Sequence, residues 1–175
     1  MLPSFSHTIQ RVIPHPVIAA EDCAIDLLSA LSNSPEELAN PFSIATSLGI
    51  YTRAVHLPKD VSATFTIHPD LHAAICVNAH DERSRRRFAV AHAIGHYMEM
   101  NTREPRTVTD YRITLVGVGV DDTEIFANQF AAALLMPSVL VAPLARSRVS
   151  IETMAQLFKT SSRAMASRLR NLGLA

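Results

Sequence analysis

Two histidines set four residues apart in an apolar stretch constrain this chain more than any other feature. His92 and His96 lie in the segment Arg87-Phe88-Ala89-Val90-Ala91-His92-Ala93-Ile94-Gly95-His96. On a helix, residues four apart project from one face, which is the arrangement that two imidazoles need to hold one zinc ion. Eight histidines in 175 residues give about 0.4 such pairs by chance. The surrounding sequence must therefore decide between a metal site and ordinary core or surface histidines.

The length and composition fit a single domain with a hydrophobic core. A chain of 175 residues buries roughly 70% of its unfolded surface when it folds. Hydrophobic residues make up 48% of the sequence, and 16 basic residues balance 16 acidic ones. A neutral chain has no overall field that favours nucleic acid or an anionic membrane. Any partner of that kind would need a local charged patch.

Cysteine use and hydropathy predict a cytoplasmic location. Cys23 and Cys76, the two cysteines, both lie in apolar stretches, where a reduced thiol behaves as a small hydrophobic side chain. The first fifteen residues lack the basic and apolar regions of a signal peptide, and they read as an irregular arm. The longest apolar runs are shorter than the ~18 residues of a membrane span. We therefore expect no membrane partner.

The pattern of apolar residues predicts a mixture of helices and strands. Helical periodicity covers residues 17–31, 81–100 and 122–136, and three β-rich stretches cover 50–55, 63–67 and 73–78. Asn40 before Pro41 resembles a helix cap followed by a first-turn proline, and Gly49 marks the end of that helix. Residues 101–121 give no firm assignment.

The segment 150–173 has the shape of a helix-turn-helix, two short helices joined by a turn, with Ser161 or Ser162 as the cap of the second helix. Arg163, Arg168 and Arg170 on the second helix raise the question of DNA binding. Packing of aliphatic residues against the preceding domain explains the same segment, and we favour that interpretation over direct DNA binding.

A carboxylate on a later helix can complete the metal site. Catalytic zinc takes three protein ligands and leaves one position open. Glu124 begins the helix predicted over 122–136, and Asn128 shares its face four residues on, where it can orient the imidazole of His92. The alternative for Glu124 is a first-turn acid that complements the helix dipole. Glu99 lies three residues beyond His96 and competes for a place near the metal, although a solvated or supporting role is favoured.

These segments together resemble the ImmA/IrrE zinc metallopeptidases of bacteria and their mobile elements. The resemblance rests on Ile75-Cys76-Val77-Asn78, on the segment around the histidines, and on Glu124-Ile125-Phe126-Ala127-Asn128, which continues as Phe130-Ala131-Ala132-Ala133-Leu134-Leu135-Met136-Pro137. It implies an α+β fold, a zincin-like metallopeptidase domain over 16–145, with a small sheet and a C-terminal helix-turn-helix-like tail over 146–175 packed on it. It also implies zinc as the cofactor, held by His92, His96 and Glu124.

The resemblance implies a regulatory peptidase whose partner is a helix-turn-helix repressor or antitoxin. Members of the family typically cleave a repressor encoded beside them. The departure is Ala93, because metallopeptidases read H-E-x-x-H and use that glutamate to move the proton of the attacking water. General acid and base assistance contributes typically 10² to 10⁴-fold. Hydrolysis should therefore be almost lost in this chain while zinc binding survives.

Two origins are open for Ala93. Alanine is a strong helix former, so its presence should leave the helix intact. Because the ligands and flanks are kept while one carboxylate is lost, a deliberate substitution is favoured over a natural pseudoprotease. The functional alternative is a zinc-binding pseudoprotease, or a toxin and antitoxin subunit, that sequesters its partner without cutting it.

Several other residues are candidates for roles near the site. Asn78 ends a predicted strand, and if that strand lies at the sheet edge it can pair with an extended peptide substrate; simple strand termination is the equal alternative. The run Arg83, Arg85, Arg86 and Arg87 suggests a solvated helix face rather than a nucleic-acid site. Other candidates for stabilising an oxyanion, with surface or packing roles favoured for each, are His68, His72, His80, Tyr97 and Tyr111.

Overall fold

The computed structural model describes residues 16–31, 40–67, 73–102, 111–112 and 122–175. Within them helices and one sheet alternate along the chain, so the predicted α+β class is confirmed. The predicted irregular arm over residues 1–15 lies outside the described residues. The elements in chain order are α1 (Pro16–Leu31), α2 (Pro41–Ser47), β1 (Tyr51–Val55), β2 (Ala63–Ile67), β3 (Ala73–Asn78), α3 (Arg83–Thr102), β4 (Tyr111–Arg112), α4 (Asp122–Leu135), α5 (Ser138–Arg146), α6 (Ile151–Phe158) and α7 (Ser162–Asn171).

The sheet has the strand order β1-β3-β2-β4. β1 runs parallel to β3, whereas β2 pairs antiparallel with β3 on one side and with β4 on the other. Alternate residues of the inner strand β3, among them Ile75 and Val77, are buried, which is the period-two pattern of a strand with one face on the core. The predicted strands are confirmed to within one residue, while β4 was not predicted.

The long helix α3 carries the histidine pair through the core. Its central residues Ala89, Val90 and Ile94 are fully buried, and it packs on the sheet and on α4. Two acidic residues, Asp81 and Glu82, lie just before α3, and Asp81 Oδ2 is 3.2 Å from Arg85 Nε. The same Arg85 Nε donates to Ser62 Oγ at 2.6 Å, which ties the loop before β2 to the beginning of α3.

Helix α2 follows the sequence signals at its two ends, and helix α1 lies where periodicity predicted it. The side chain of Asn40 accepts from the backbone N–H of Phe42, with Pro41 in the first turn, as predicted. Gly49 follows α2 with a positive φ of 73°, which is the left-handed conformation that favours glycine. In α1 the predicted helix is present, with Ile18 and Ile25 exposed and Ala20 and Leu27 buried.

The C-terminal helices pack against the rest of the domain, as the sequence predicts. Met154 and Phe158 of α6 and Met165 and Leu169 of α7 belong to the same hydrophobic cluster as the core of α3 and the sheet. Arg168 is 2% exposed, and its guanidinium pairs with both carboxylate oxygens of Glu21 at 2.7 Å. Arg168 therefore holds α7 against α1. The boundary between the metallopeptidase domain and the tail, placed at residue 146 from the sequence, stays a prediction.

Helix α5 was not predicted. Pro137 ends the preceding segment as expected, but the chain then turns directly into a helix that contains Pro143.

Among the described residues no single helix is both long and apolar enough to cross a membrane; only α4 and α5 together pass that test, as a pair bent by 65°.

Candidate metal centre

The site depends on how closely α3 and α4 approach. A Cβ atom added at Gly95 would lie 2.9 Å from the Cα of Ala127 and 3.1 Å from its carbonyl oxygen, so glycine is the residue that this contact permits. On α4, Glu124 lies three residues before Ala127 and Asn128 directly follows it; on α3, His92 lies three residues before Gly95 and His96 directly follows it. The close helix contact thus brings the two pairs of polar side chains face to face.

The three predicted ligands converge on one point. The Nε2 atoms of His92 and His96 are 2.9 Å apart. Glu124 faces both rings, with Oε2 at 3.4 Å from His92 Nε2 and Oε1 at 3.2 Å from His96 Nε2. One ligand atom from each residue lies within 4.8 Å of the others. Ligands of a tetrahedral zinc ion lie roughly 3.3 Å from one another, so the donor set and its spacing fit that metal.

Asn128 forms a hydrogen bond with the first histidine, as the orienting role predicted from the sequence requires. His92 Nδ1 lies 3.0 Å from Asn128 Oδ1. Because an amide oxygen only accepts hydrogen bonds, the Nδ1 of His92 is the donor. The Nε2 atom then keeps its lone pair, and that atom is the one aimed at His96 and Glu124. This is the tautomer that a metal-binding imidazole requires.

The electrostatics of the site also match a cation. His92 and His96 are each 1% exposed, whereas the side chain of Glu124 is 30% exposed. Burial lowers the pKa of the His92 imidazole below its ordinary value. The facing rings of His92 and His96 lower the pKa of the Glu124 carboxyl well below its usual range, against the opposing effect of burial. Neutral imidazole and ionised carboxylate are the forms that bind metals.

Ala93 lies beside this group without contributing a polar atom to it. It is 0% exposed and belongs to the hydrophobic core cluster. Helix α3 runs unbroken through the position, as expected for alanine. The site therefore has the atoms to hold a metal, but at position 93 it has a methyl group where the H-E-x-x-H pattern has a carboxylate.

The structure corrects the proposed substrate role of Asn78. β3 is an inner strand, paired on both sides, so Asn78 does not end an edge strand. The side chain is 1% exposed, and its Nδ2 donates to three carbonyl groups of the loop between β1 and β2, those of Leu57, Pro58 and Val61. Asn78 therefore holds a loop, because its donors are all directed at the protein's own backbone.

Two further expectations for charged residues are wrong in part. Glu99 is 6% exposed, so the solvated role is wrong, and it is not a member of the converging group; a supporting role for Glu99 stays a prediction. Arg87, at 5% exposed, is buried, unlike the exposed Arg83 and Arg85 of the same run. The run is thus a solvated face only in its first part, because the helix turns Arg87 toward the interior.

The remaining candidates make other contacts or lie outside the described residues. His80 Nε2 is 2.8 Å from Nδ1 of the exposed His56, so these two rings pair with each other. Tyr97 packs edge to face on Phe65 at 6.4 Å between ring centroids, a packing role. His68 and His72 lie outside the described residues, and Tyr111 is described only as a backbone position in β4.

Gly95 is the site-forming residue that the sequence interpretation missed. A glycine inside a strongly helical pattern lowers helix stability, and such a residue often marks close packing. That signal was present in Ala93-Ile94-Gly95-His96, but only the position of the facing helix shows what Gly95 contacts.

Comparisons with known proteins place the fold in a family. No curated protein sequence matches the chain significantly. Among solved structures, a Mycobacterium tuberculosis transcriptional regulator is similar, with a TM-score of 0.53 and 17% identity over 90% of this chain. The chain spans 47% of the length of that protein, and the likeness concerns the fold alone. The family Peptidase_M78, described as the IrrE N-terminal-like domain, matches residues 45–170. The chain therefore belongs to the Peptidase_M78 family of IrrE N-terminal-like domains, which is in general zinc-dependent.

Proposed function

We propose that this chain is a zinc-binding, catalytically silent form of an endopeptidase that acts on a helix-turn-helix repressor or antitoxin. The observation that carries the proposal is the convergence of His92, His96 and Glu124 within 4.8 Å. The loss of turnover follows from Ala93, because a methyl group can neither accept nor return a proton.

Each residue of the centre has a separate task in this proposal. His92 and His96 supply neutral nitrogen donors, and Glu124 supplies a negatively charged oxygen. Asn128 holds the ring of His92 with its Nε2 atom directed at the centre. A bound zinc ion supplies a Lewis acid that activates water and polarises a peptide carbonyl. The proton that such chemistry releases has no acceptor at position 93.

The second candidate is a binding module that sequesters its partner without cutting it. It is favoured by the packing of Ala93, which is fully buried in the core cluster while the ligand residues remain in place. In this function zinc stabilises the α3 and α4 contact, and the partner is held rather than processed.

Restoring the carboxylate separates the two candidates. Ala93→Glu supplies a proton acceptor, and Ala93→Gln adds nearly the same volume without one. Both variants and the unaltered chain are incubated with the helix-turn-helix repressor encoded beside the gene, and the repressor is followed by mass spectrometry. Because position 93 is buried, circular dichroism spectra must first establish that both variants fold.

If the chain is a silent peptidase, only the Ala93→Glu variant should cleave the repressor, and this cleavage should stop when a chelator removes zinc. General base catalysis predicts a rate gain of about 10²-fold or more over Ala93→Gln. A folded Ala93→Glu variant that binds the repressor and leaves it intact would instead support sequestration. Equal cleavage by the Glu and Gln variants would contradict the role given to position 93.

A further inference from the structure

The C-terminal segment is strongly basic in a chain that is neutral overall. Residues 146–175 contain six of the 16 basic residues and one of the 16 acidic residues, Glu152. Arg168 is buried against Glu21, but the other five cations are exposed. We refer to them as the basic tail surface: Arg146, Arg148, Lys159, Arg163 and Arg170.

Helix α7 divides its side chains between two opposite faces. Met165, Arg168 and Leu169 are buried on one side. Arg163 and Arg170 are seven residues apart, so at 100° per residue they point in nearly the same direction, about opposite to the buried face. Between them on the outward face lie the small residues Ala166 and Ser167. The stretch of helix between the two arginines therefore carries only small side chains on its outward face.

The unit that presents this face is firmly held. α6 and α7 are joined by a short turn in which Lys159 adopts a left-handed conformation, with a φ of 55°, and Ser161 caps α7 by accepting from Ala164 N–H. Arg168 anchors the buried side, because its Nε donates to the Met136 carbonyl at 2.9 Å while its other nitrogens hold Glu21. The packing role predicted for this tail therefore uses one face and leaves the other exposed.

We propose that the basic tail surface binds the phosphates of duplex DNA, with the outward face of α7 presented to the major groove. The helix-turn-helix shape, the basic outward face and the small residues between the arginines are what such a contact requires. A protein partner is less well matched, since α7 exposes no large apolar side chain to form an interface core. This proposal is independent of the metal centre, because none of its five cations is a metal ligand.

Fluorescence anisotropy with a labelled 20-base-pair duplex of mixed sequence tests the proposal on the full zinc-loaded chain. We expect micromolar binding at low salt that weakens as salt rises, with a logarithmic slope of about −3 to −4 if most of the five cations reach phosphates. Arg163→Glu/Arg170→Glu should weaken binding at least about tenfold and make the slope shallower by roughly two. Because both arginines are exposed, this variant should keep its zinc content and its melting temperature.

The matched control is Arg53→Glu/Arg83→Glu, which makes the same charge change at exposed positions on β1 and α3. Unchanged DNA binding in this control would support a local surface. Equal loss in both double variants would overturn the proposal, as would no binding of DNA by the unaltered chain at low salt. Equal or tighter binding of an RNA duplex would overturn the major-groove contact, because the deep and narrow groove of RNA does not admit a helix. If polyglutamate competes for the surface as well as unlabelled duplex DNA does, the result would point to an acidic protein as the partner and would also overturn the proposal of DNA binding.

Discussion

At the scale of single residues, the metal centre combines side chains that the sequence could name with orientations that it could not. The spacing of His92 and His96 and the offset of Glu124 from Asn128 were readable because a helix repeats every 3.6 residues. The hydrogen bond from His92 to Asn128 joins residues 36 positions apart; the face that Glu124 and Asn128 share predicted that contact, but not its atoms or its distance. Asn78 shows the limit, because its three backbone acceptors belong to an irregular loop that no periodicity describes.

Asn128→Ala should weaken zinc binding without abolishing it. Loss of the hydrogen bond frees the His92 ring to turn and to change tautomer, and such supporting partners are worth about 10 to 100-fold in metal affinity. Competition with a fluorescent zinc chelator measures the change. Asn128→Asp keeps an acceptor oxygen and should retain most of the affinity. If Asn128→Ala binds zinc as tightly as the unaltered chain, Asn128 does not position His92.

Asn78→Ala should destabilise the fold and leave the metal centre intact. The change removes the donor from three carbonyl groups of the β1 and β2 loop, and buried unsatisfied groups cost about 1 to 3 kcal/mol each. We expect a loss of about 2 to 3 kcal/mol in the free energy of unfolding by urea, with unchanged zinc affinity. A variant of full stability that loses zinc would return Asn78 to the functional site.

At the scale of elements, local signals fixed most helices and strands, whereas tertiary contacts decided the rest. Caps and periodicity predicted α2, α3, α4 and the three longer strands because those patterns are contained within each segment. β4 has two residues, too few to show an alternation, and it exists through pairing with β2. α5 was missed because Pro143 in its interior argues against a helix. The exposure of Ile18 depends on where α4 packs on α1, which the sequence of α1 does not contain.

Gly95→Ala should destabilise the protein even though alanine is the better helix former. Helix propensity alone favours alanine by about 1 kcal/mol. The added Cβ would meet the Ala127 Cα at 2.9 Å, and a backbone atom in a packed helix cannot move aside cheaply. We expect a net loss of about 1 to 3 kcal/mol of stability and weaker zinc binding as α4 moves away from α3.

The control for Gly95 is the double variant Gly95→Ala/Ala127→Gly. Removing the methyl group of Ala127 leaves its Cα and carbonyl oxygen in place, so it should not restore either stability or zinc affinity. A stabilised Gly95→Ala variant with normal zinc binding would show that the helices are not in contact at this point.

At the scale of the whole molecule, the two ends of the described chain are joined through one buried arginine. Arg168 and Glu21 are 147 positions apart, and no local pattern pairs them. The sequence predicted that the tail packs on the domain, since its apolar stripe needs a partner surface. The sequence did not distinguish Arg168 from Arg163 and Arg170. In the structure Arg168 is buried, whereas Arg163 and Arg170 are exposed.

Arg168→Ala should therefore destabilise the whole domain and not only the tail. It leaves the Glu21 carboxylate and the Met136 carbonyl without their donor, and we expect a loss of about 2 to 3 kcal/mol, moderated because Glu21 is 26% exposed. A double-mutant cycle with Glu21→Ala, followed by urea unfolding, isolates the coupling. Strictly additive effects of the two substitutions would contradict a direct pairing of these side chains.

The zinc content of the purified chain tests the central claim most directly. Native mass spectrometry after dialysis against a zinc buffer gives the number of ions per chain for the unaltered protein, His92→Ala, Glu124→Ala and the control Asn78→Ala. Because three ligands hold one catalytic-type zinc ion, we predict one ion in the unaltered chain and in the control. Removal of either ligand, in His92→Ala or in Glu124→Ala, should leave little or no zinc, whereas equal zinc in all four proteins would contradict a centre formed by His92, His96 and Glu124.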